Sequence, residues 1–146
     1  MMPFETILVA VDESPAAMQA VECARKLAKL TNATVILVHA YPKVPEYLGE
    51  PNLSNTIARY LEKANELIAP QAESLQQDGI VTITEILQGP PADAILRVAD
   101  VRNVDLIVIG ARGLGSLGSL LMGSVSQKVI SHAQCPVMVV RAQEQP

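Results

Sequence analysis

Hydrophobic residues in this chain fall into short unbroken runs. Longer stretches separate them, in which apolar positions recur every third or fourth residue. Thr6 to Val11 is apolar and β-branched and stops at Asp12. Thr34 to Ala40 shows almost no polar alternation. Such runs suit strands buried on both faces of a parallel sheet. Leu106 to Ile109 and Pro136 to Arg141 read as two further strands. Val81 to Leu87 alternates Thr with apolar residues, the mark of a strand with one polar face near a sheet edge.

Between the strands the period changes. Ala17, Ala20, Val21, Ala24, Leu27 and Ala28 follow the stripe of an amphipathic helix. Ser14 and Pro15 suit its N-cap and first position, and the helix is expected to run to about Leu30. Tyr41 to Asn55 carries three prolines and a glycine and reads as a long loop. A helix from about Thr56 to Gln77 should turn Ile57, Leu61, Ala64, Ile68 and Leu75 inward. Pro70 is expected to kink or interrupt it, and Gly79 to end it. Short helices are expected over Ala92 to Val101 and Val125 to His132, and a frayed tail over Ala142 to Pro146. Strands alternating with helices give an α/β fold. The expectation is a single open five-stranded parallel sheet, order 3-2-1-4-5, Rossmann-like, with helices on both faces. It should form one domain over residues 1–146.

Composition narrows the function. Hydrophobic residues make up 49% of the 146 positions, yet no apolar run reaches the ~20 residues of a membrane helix. They should build a soluble core. Aromatic residues are only 3% and the net charge is −4, which argues against base-stacking platforms and phosphate-backbone surfaces, and so against nucleic acid. Cys23 and Cys135 lack CxxC spacing and suggest a reduced compartment. Met1 to Glu5 lacks the basic and apolar regions of a signal peptide, so a cytoplasmic location is expected.

In a sheet of this order, ligands bind at the carboxyl ends of the strands, where the order reverses. That crevice lies between the first and fourth strands, whose exits are Asp12 and Gly110. Asp12 has two readings: an Asx turn leading into the Ser14 cap, or an acceptor for ribose hydroxyls or an adenine amine. Gly110 to Ser124 is rich in glycine, which lets a backbone approach a ligand closely. Gly123-Ser124 opens a helix whose N-terminal N–H groups suit phosphate; a flexible loop with an ordinary Ser cap is the alternative. Arg112 either clamps a phosphate or lies in solvent.

Several motifs are absent or misleading. Gly113-x-Gly115-x-x-Gly118 matches the dinucleotide fingerprint, but it starts several residues after its strand, and Gly123 would break the helix it requires. The Walker A pattern and the nucleophile elbow do not occur. His39 and His132 lack a ligand cluster, so no metal site is expected. His39 reads as a hydrogen-bonded core histidine and His132 as a partner of a helix C-terminus. No catalytic residue is assigned.

The chain resembles the universal stress protein family along nearly its whole length. The resemblance rests on Ile7-Leu8-Val9-Ala10-Val11-Asp12-Glu13-Ser14, on Val35 to Ala40, and on Pro91 to Ile95. Asp105 to Gly110 and Cys135 to Val140 complete it. The family's ATP-binding branch is similar in carrying G-x2-G-x9-G-[ST], which Gly110, Gly113, Gly123 and Ser124 match in full. The resemblance implies that Ala10, Val11 and Asp12 line the base and ribose, that Ala40 presents its backbone to adenine, and that Gly110 lies against the ribose. Gly113, Gly123, Ser124 and Val125 would hold the phosphates, with Ser126 as a further contact and Mg²⁺ as a bridging ion.

The resemblance also implies a homodimer. The apolar edge strand Val137 to Val140 agrees, since an uncovered edge invites pairing and an antiparallel copy would cover it; a covering helix or tail is the alternative. The expected function is a regulatory, adenine-nucleotide-binding stress protein that binds ATP. No evident base activates water, which fast hydrolysis needs. A slow ATPase or self-phosphorylating protein, using Ser116, Ser119 or Ser124, is one competitor. An interaction module binding AMP or no nucleotide is the other.

Overall fold

The structure, a computed structural model, describes residues 4–111 and 123–142. Strands β1 (Thr6–Ala10), β2 (Thr34–Tyr41), β3 (Thr82–Gln88), β4 (Leu106–Ala111) and β5 (Val137–Arg141) form one sheet in the order β3-β2-β1-β4-β5. Every neighbouring pair is parallel. Four helices connect them: α1 (Pro15–Thr31), α2 (Asn52–Gln77), α3 (Pro91–Val101) and α4 (Ser124–His132). The expected architecture and strand order are those observed.

The unbroken apolar runs are explained by cover on both faces. Ile7, Val9, Val35, Leu37 and Val108 pack with Ala20, Val21 and Ala24 of α1 and Ile68 and Leu75 of α2. Leu8, Ile36, Val38, Ile107 and Ile109 pack on the other face with Ile95 and Val98 of α3 and Val129 of α4. β3 stands at the sheet edge as its alternation predicts, and only part of it is covered. The Asp105 carboxylate accepts from the backbone N–H of Glu5 and of Thr6, both at 2.9 Å, and fixes the start of the central strand.

The start of α1 is the one read from the sequence. Ser14 Oγ accepts from the Ala17 N–H at 3.1 Å, Pro15 opens the helix, and Asn32 closes it in the left-handed region. Two expectations need correction. The loop after β2 is shorter than read, because Glu46–Leu48 forms a 3-10 turn and α2 starts at Asn52 rather than Thr56. Pro70 does not interrupt α2, which runs through it. Its missing N–H orphans the Glu66 carbonyl, but both residues face solvent, where water replaces the bond. The tail residues 143–146 lie outside the described residues.

α1 and α2 are clamped by one cation. The Arg25 side chain is 13% exposed, and its Nη1 donates to Asp78 Oδ2 at 2.7 Å and to the Ser74 carbonyl at 3.2 Å. Nη2 donates to Ser74 Oγ, and Lys29 adds an ion pair to the same Asp78. Hydrogen bonds from Arg25 and Lys29 hold the Asp78 carboxyl below the usual carboxylate range. A carboxyl depressed on folding stabilises the protein above its unfolded pKa, and the stabilisation fades as pH falls through the folded value. Asp78→Asn should therefore lower Tm at pH 7, and the gap to wild type should narrow as pH falls below the ordinary carboxylate range. A gap of constant size in thermal unfolding across that range would exclude the linkage.

Candidate functional site

β1 and β4 are adjacent, and their chains leave in opposite directions: α1 lies on one face and α4 on the other. A crevice opens where they part. Ala10, Val11 and Asp12 line it from β1, Val38, His39 and Ala40 from β2, and Ile109 and Gly110 from β4. Ser14 and Ala17 of α1, Pro91 and Ile95 of α3, and Gly123, Val125 and Ser126 of α4 close its sides. The helices α1, α3 and α4 thus all bring their N-terminal ends to one place. Its cavity of about 150 Å³ is of the size at which a protein cavity takes an aromatic ring.

Strand register explains what the floor offers. The carbonyl of Val38 accepts from Val11 at 2.8 Å, and Thr34 donates to Glu5. Even-numbered residues of β2 therefore point their main chain at β1, and odd ones at β3, as Gly89 donating to the Tyr41 carbonyl shows. The β1–β2 register stops at Ala10↔Val38. Ala40 is the next even residue, so its N–H and C=O face the crevice beyond the end of the β1 ladder. The N–H and C=O leave one residue side by side, a donor and an acceptor on one edge.

The polar groups are held in place. Asp12 Oδ1 accepts from the Ser14 N–H at 2.7 Å, so the Asx turn exists, and it aligns the α1 cap while Asp12 lines the crevice. His39 Nδ1 lies 2.8 Å from the Val11 carbonyl. A carbonyl only accepts, so the proton sits on Nδ1. Ser126 is 2% exposed, and its hydroxyl donates to the Gly110 carbonyl at 3.3 Å, tying α4 to β4. At the start of α4 no side chain among the described residues caps the helix, and Gly123 occupies the N-cap with φ −64° and ψ 161°. No Lys or Arg lines the crevice among the described residues, so an anion there would be met by backbone N–H groups and the helix dipole.

Of the residues singled out in the sequence, Ala10, Val11, Asp12, Ala40, Gly110, Gly123, Val125 and Ser126 come together here. Ser124 starts α4 with its side chain exposed and does not line the crevice. Arg112 and Gly113 lie outside the described residues, as do Ser116 and Ser119. Sequence reasoning missed His39, Pro91 and Ile95 as walls. His39 is hydrogen-bonded as read, yet it also borders the crevice. The spacing of Pro91 and Ile95, i to i+4 on a helix start, was the available signal.

The cysteines take no part. Burial pushes the Cys135 thiol up, with Asp105 and Asp100 adding to it, so it stays protonated. Cys23 rests its sulfur 3.4 Å from that of Met138. His132 Nδ1 lies 2.9 Å from the Lys128 carbonyl at the end of α4. Among the described residues, no three His, Cys, Asp or Glu gather to hold a metal, and no helix is long and apolar enough to cross a membrane.

Comparisons agree with this geometry. A universal stress protein of Thermus aquaticus is 45% identical over 139 residues, covering 94% of this chain and 99% of that protein. The solved structure of universal stress protein UspA from Lactobacillus plantarum superposes with a TM-score of 0.83 at 28% identity, covering 97% of this chain and 100% of that one. The universal stress protein from Archaeoglobus fulgidus in complex with dAMP gives 0.71 at 26% identity, covering 95% and 99%. The sequence pattern of the Universal stress protein family matches residues 3–141. The chain belongs to the universal stress protein family.

Proposed function

We propose that the crevice binds an adenine nucleotide, ATP with Mg²⁺ above all, and that the protein is a cytoplasmic, homodimeric stress-response regulator rather than a turnover enzyme. One observation carries the reading: the free-facing edge of Ala40 and the N-terminus of α4 border the same crevice. The Ala40 carbonyl suits the adenine amine and its N–H suits the neighbouring ring nitrogen. Guanine reverses that donor–acceptor order and is disfavoured. The phosphates then meet the N–H groups after Gly123, in the ATP-branch pattern of Gly110, Gly113, Gly123 and Ser124. The dAMP complex of the Archaeoglobus protein supports an adenine ligand.

Asp12 is the carboxylate among the described residues that line the crevice. Mg²⁺ needs only one or two carboxylates beside phosphate oxygens, so the donor set fits it. Asp12 and His39 are the titratable side chains among the described lining residues, and the His39 Nδ1–H is engaged by Val11. That suits the crevice to binding. Calorimetry with ATP and Mg²⁺, after identifying any carried-over nucleotide, tests the reading. The expected result is a Kd on the order of micromolar, with GTP at least about tenfold weaker. No heat with ATP and no adenine nucleotide in the purified protein would overturn it.

The homodimer rests on β5. Pro136 accepts from Ile107 of β4, so even residues of β5 face β4 and Val137 and Val139 turn their main chain outward. Antiparallel pairing with a second copy would cover that edge. Val139→Pro removes one outward N–H and spares the β4 ladder. Sedimentation should show a folded monomer in place of a dimer; an undiminished dimer would place the interface elsewhere.

A further inference from the structure

A second cavity, of about 360 Å³, adjoins the crevice and shares Ala40 and Pro91 with it. It lies past the end of β2, between the chain leaving that strand and the chain entering α3. Its walls are Tyr41, Pro42, Gly89, Pro90 and Pro91, with Lys43 the one charged residue. The groove is preformed. Three of its walls are prolines, with fixed φ. The Tyr41 ring is held by stacking on Tyr60 of α2, with centroids 5.9 Å apart. The Gly89 N–H donates to the Tyr41 carbonyl at 2.9 Å, joining the two segments.

We propose that this groove is a subsite for an apolar or aromatic substituent on the exocyclic amine of adenine, making the protein a receptor for N6-substituted adenine nucleotides as well as plain ones. The proposal rests on the adenine reading above and extends it. If the amine donates to the Ala40 carbonyl, it sits at the residue the two cavities share. One of its hydrogens serves that bond. The other position leads over the end of β2 into the groove. An apolar group there would displace water from proline and tyrosine walls, a gain proportional to the area covered.

The test compares ATP with N6-benzyl-ATP by calorimetry on the full chain. It then maps covalent labelling by N6-(azidobenzyl)-ATP after irradiation and digestion. The benzyl compound should bind within about threefold of ATP or more tightly, and the label should fall on 41–43 or 89–91. ATP binding with the benzyl compound weaker by about a hundredfold or more would overturn the subsite while leaving the nucleotide reading intact. So would saturable labelling confined to other segments. Failure of ATP itself to bind would overturn both.

Discussion

Gly110→Ala is expected to destabilise the protein more than any other single-methyl change at the crevice. A Cβ at this position would stand 2.6 Å from the backbone carbon of Ala16, 2.7 Å from the nitrogen of Ala17 and 2.8 Å from the Ala16 carbonyl oxygen. Those atoms are main chain in the first turn of α1 and cannot rotate away. Ala16 and Ala17 are themselves only 2% and 3% exposed, so the helix has to move bodily. Overpacking of this kind costs about 1–3 kcal/mol and sometimes more. For a chain of this length that lowers Tm by roughly 3–10 °C. The same shift displaces Asp12 and Ser14, so nucleotide affinity should fall with it. Thermal unfolding followed by circular dichroism reads the first effect; a Tm within about 1 °C of wild type would mean α1 does not approach β4 as described.

Gly123→Val is the complementary case, with a large loss of binding and little loss of stability. Gly123 has φ −64° and ψ 161°, a conformation open to any residue. The backbone conformation therefore does not demand glycine here. A ligand would, if phosphate oxygens rest on the N–H groups that follow, since a β-branched side chain would stand in their path. ATP affinity is expected to fall by about a hundredfold or more, near 2.7 kcal/mol or beyond, while Tm changes little. Retained affinity in a titration would move the phosphates away from α4.

The two glycines show how differently a site can be legible. The sequence placed both at the crevice through the strand order and the spacing of Gly110, Gly113, Gly123 and Ser124. It could not show that Gly110 is required by α1, because that clash links residues far apart in sequence. The strands were readable because β1, β2 and β4 are covered on both faces, which leaves continuous apolar runs. The start of α2 was not, since Asn52–Asn55 carries no apolar stripe and follows a proline. For Asp12 the Asx turn was readable and is present, and the residue also lines the crevice. His39 was readable as a hydrogen-bonded residue but not as a wall, because only the end of the β1 ladder reveals what lies beyond it.

The strand order also has a consequence for biosynthesis. β1 is central, with β2 on one side and β4 on the other. A nascent chain on the ribosome can assemble β1, β2 and β3 with α1 and α2 while β4 is still unmade. Until then the second side of β1 is an open edge with unpaired backbone N–H and C=O groups, and the backbone N–H groups of Glu5 and Thr6 wait for Asp105, which lies 100 and 99 residues downstream. Such edges recruit other chains. Translational pausing before β4 emerges would prolong that exposure, and an N-terminal fragment ending there is the form of this protein that chaperones must shield.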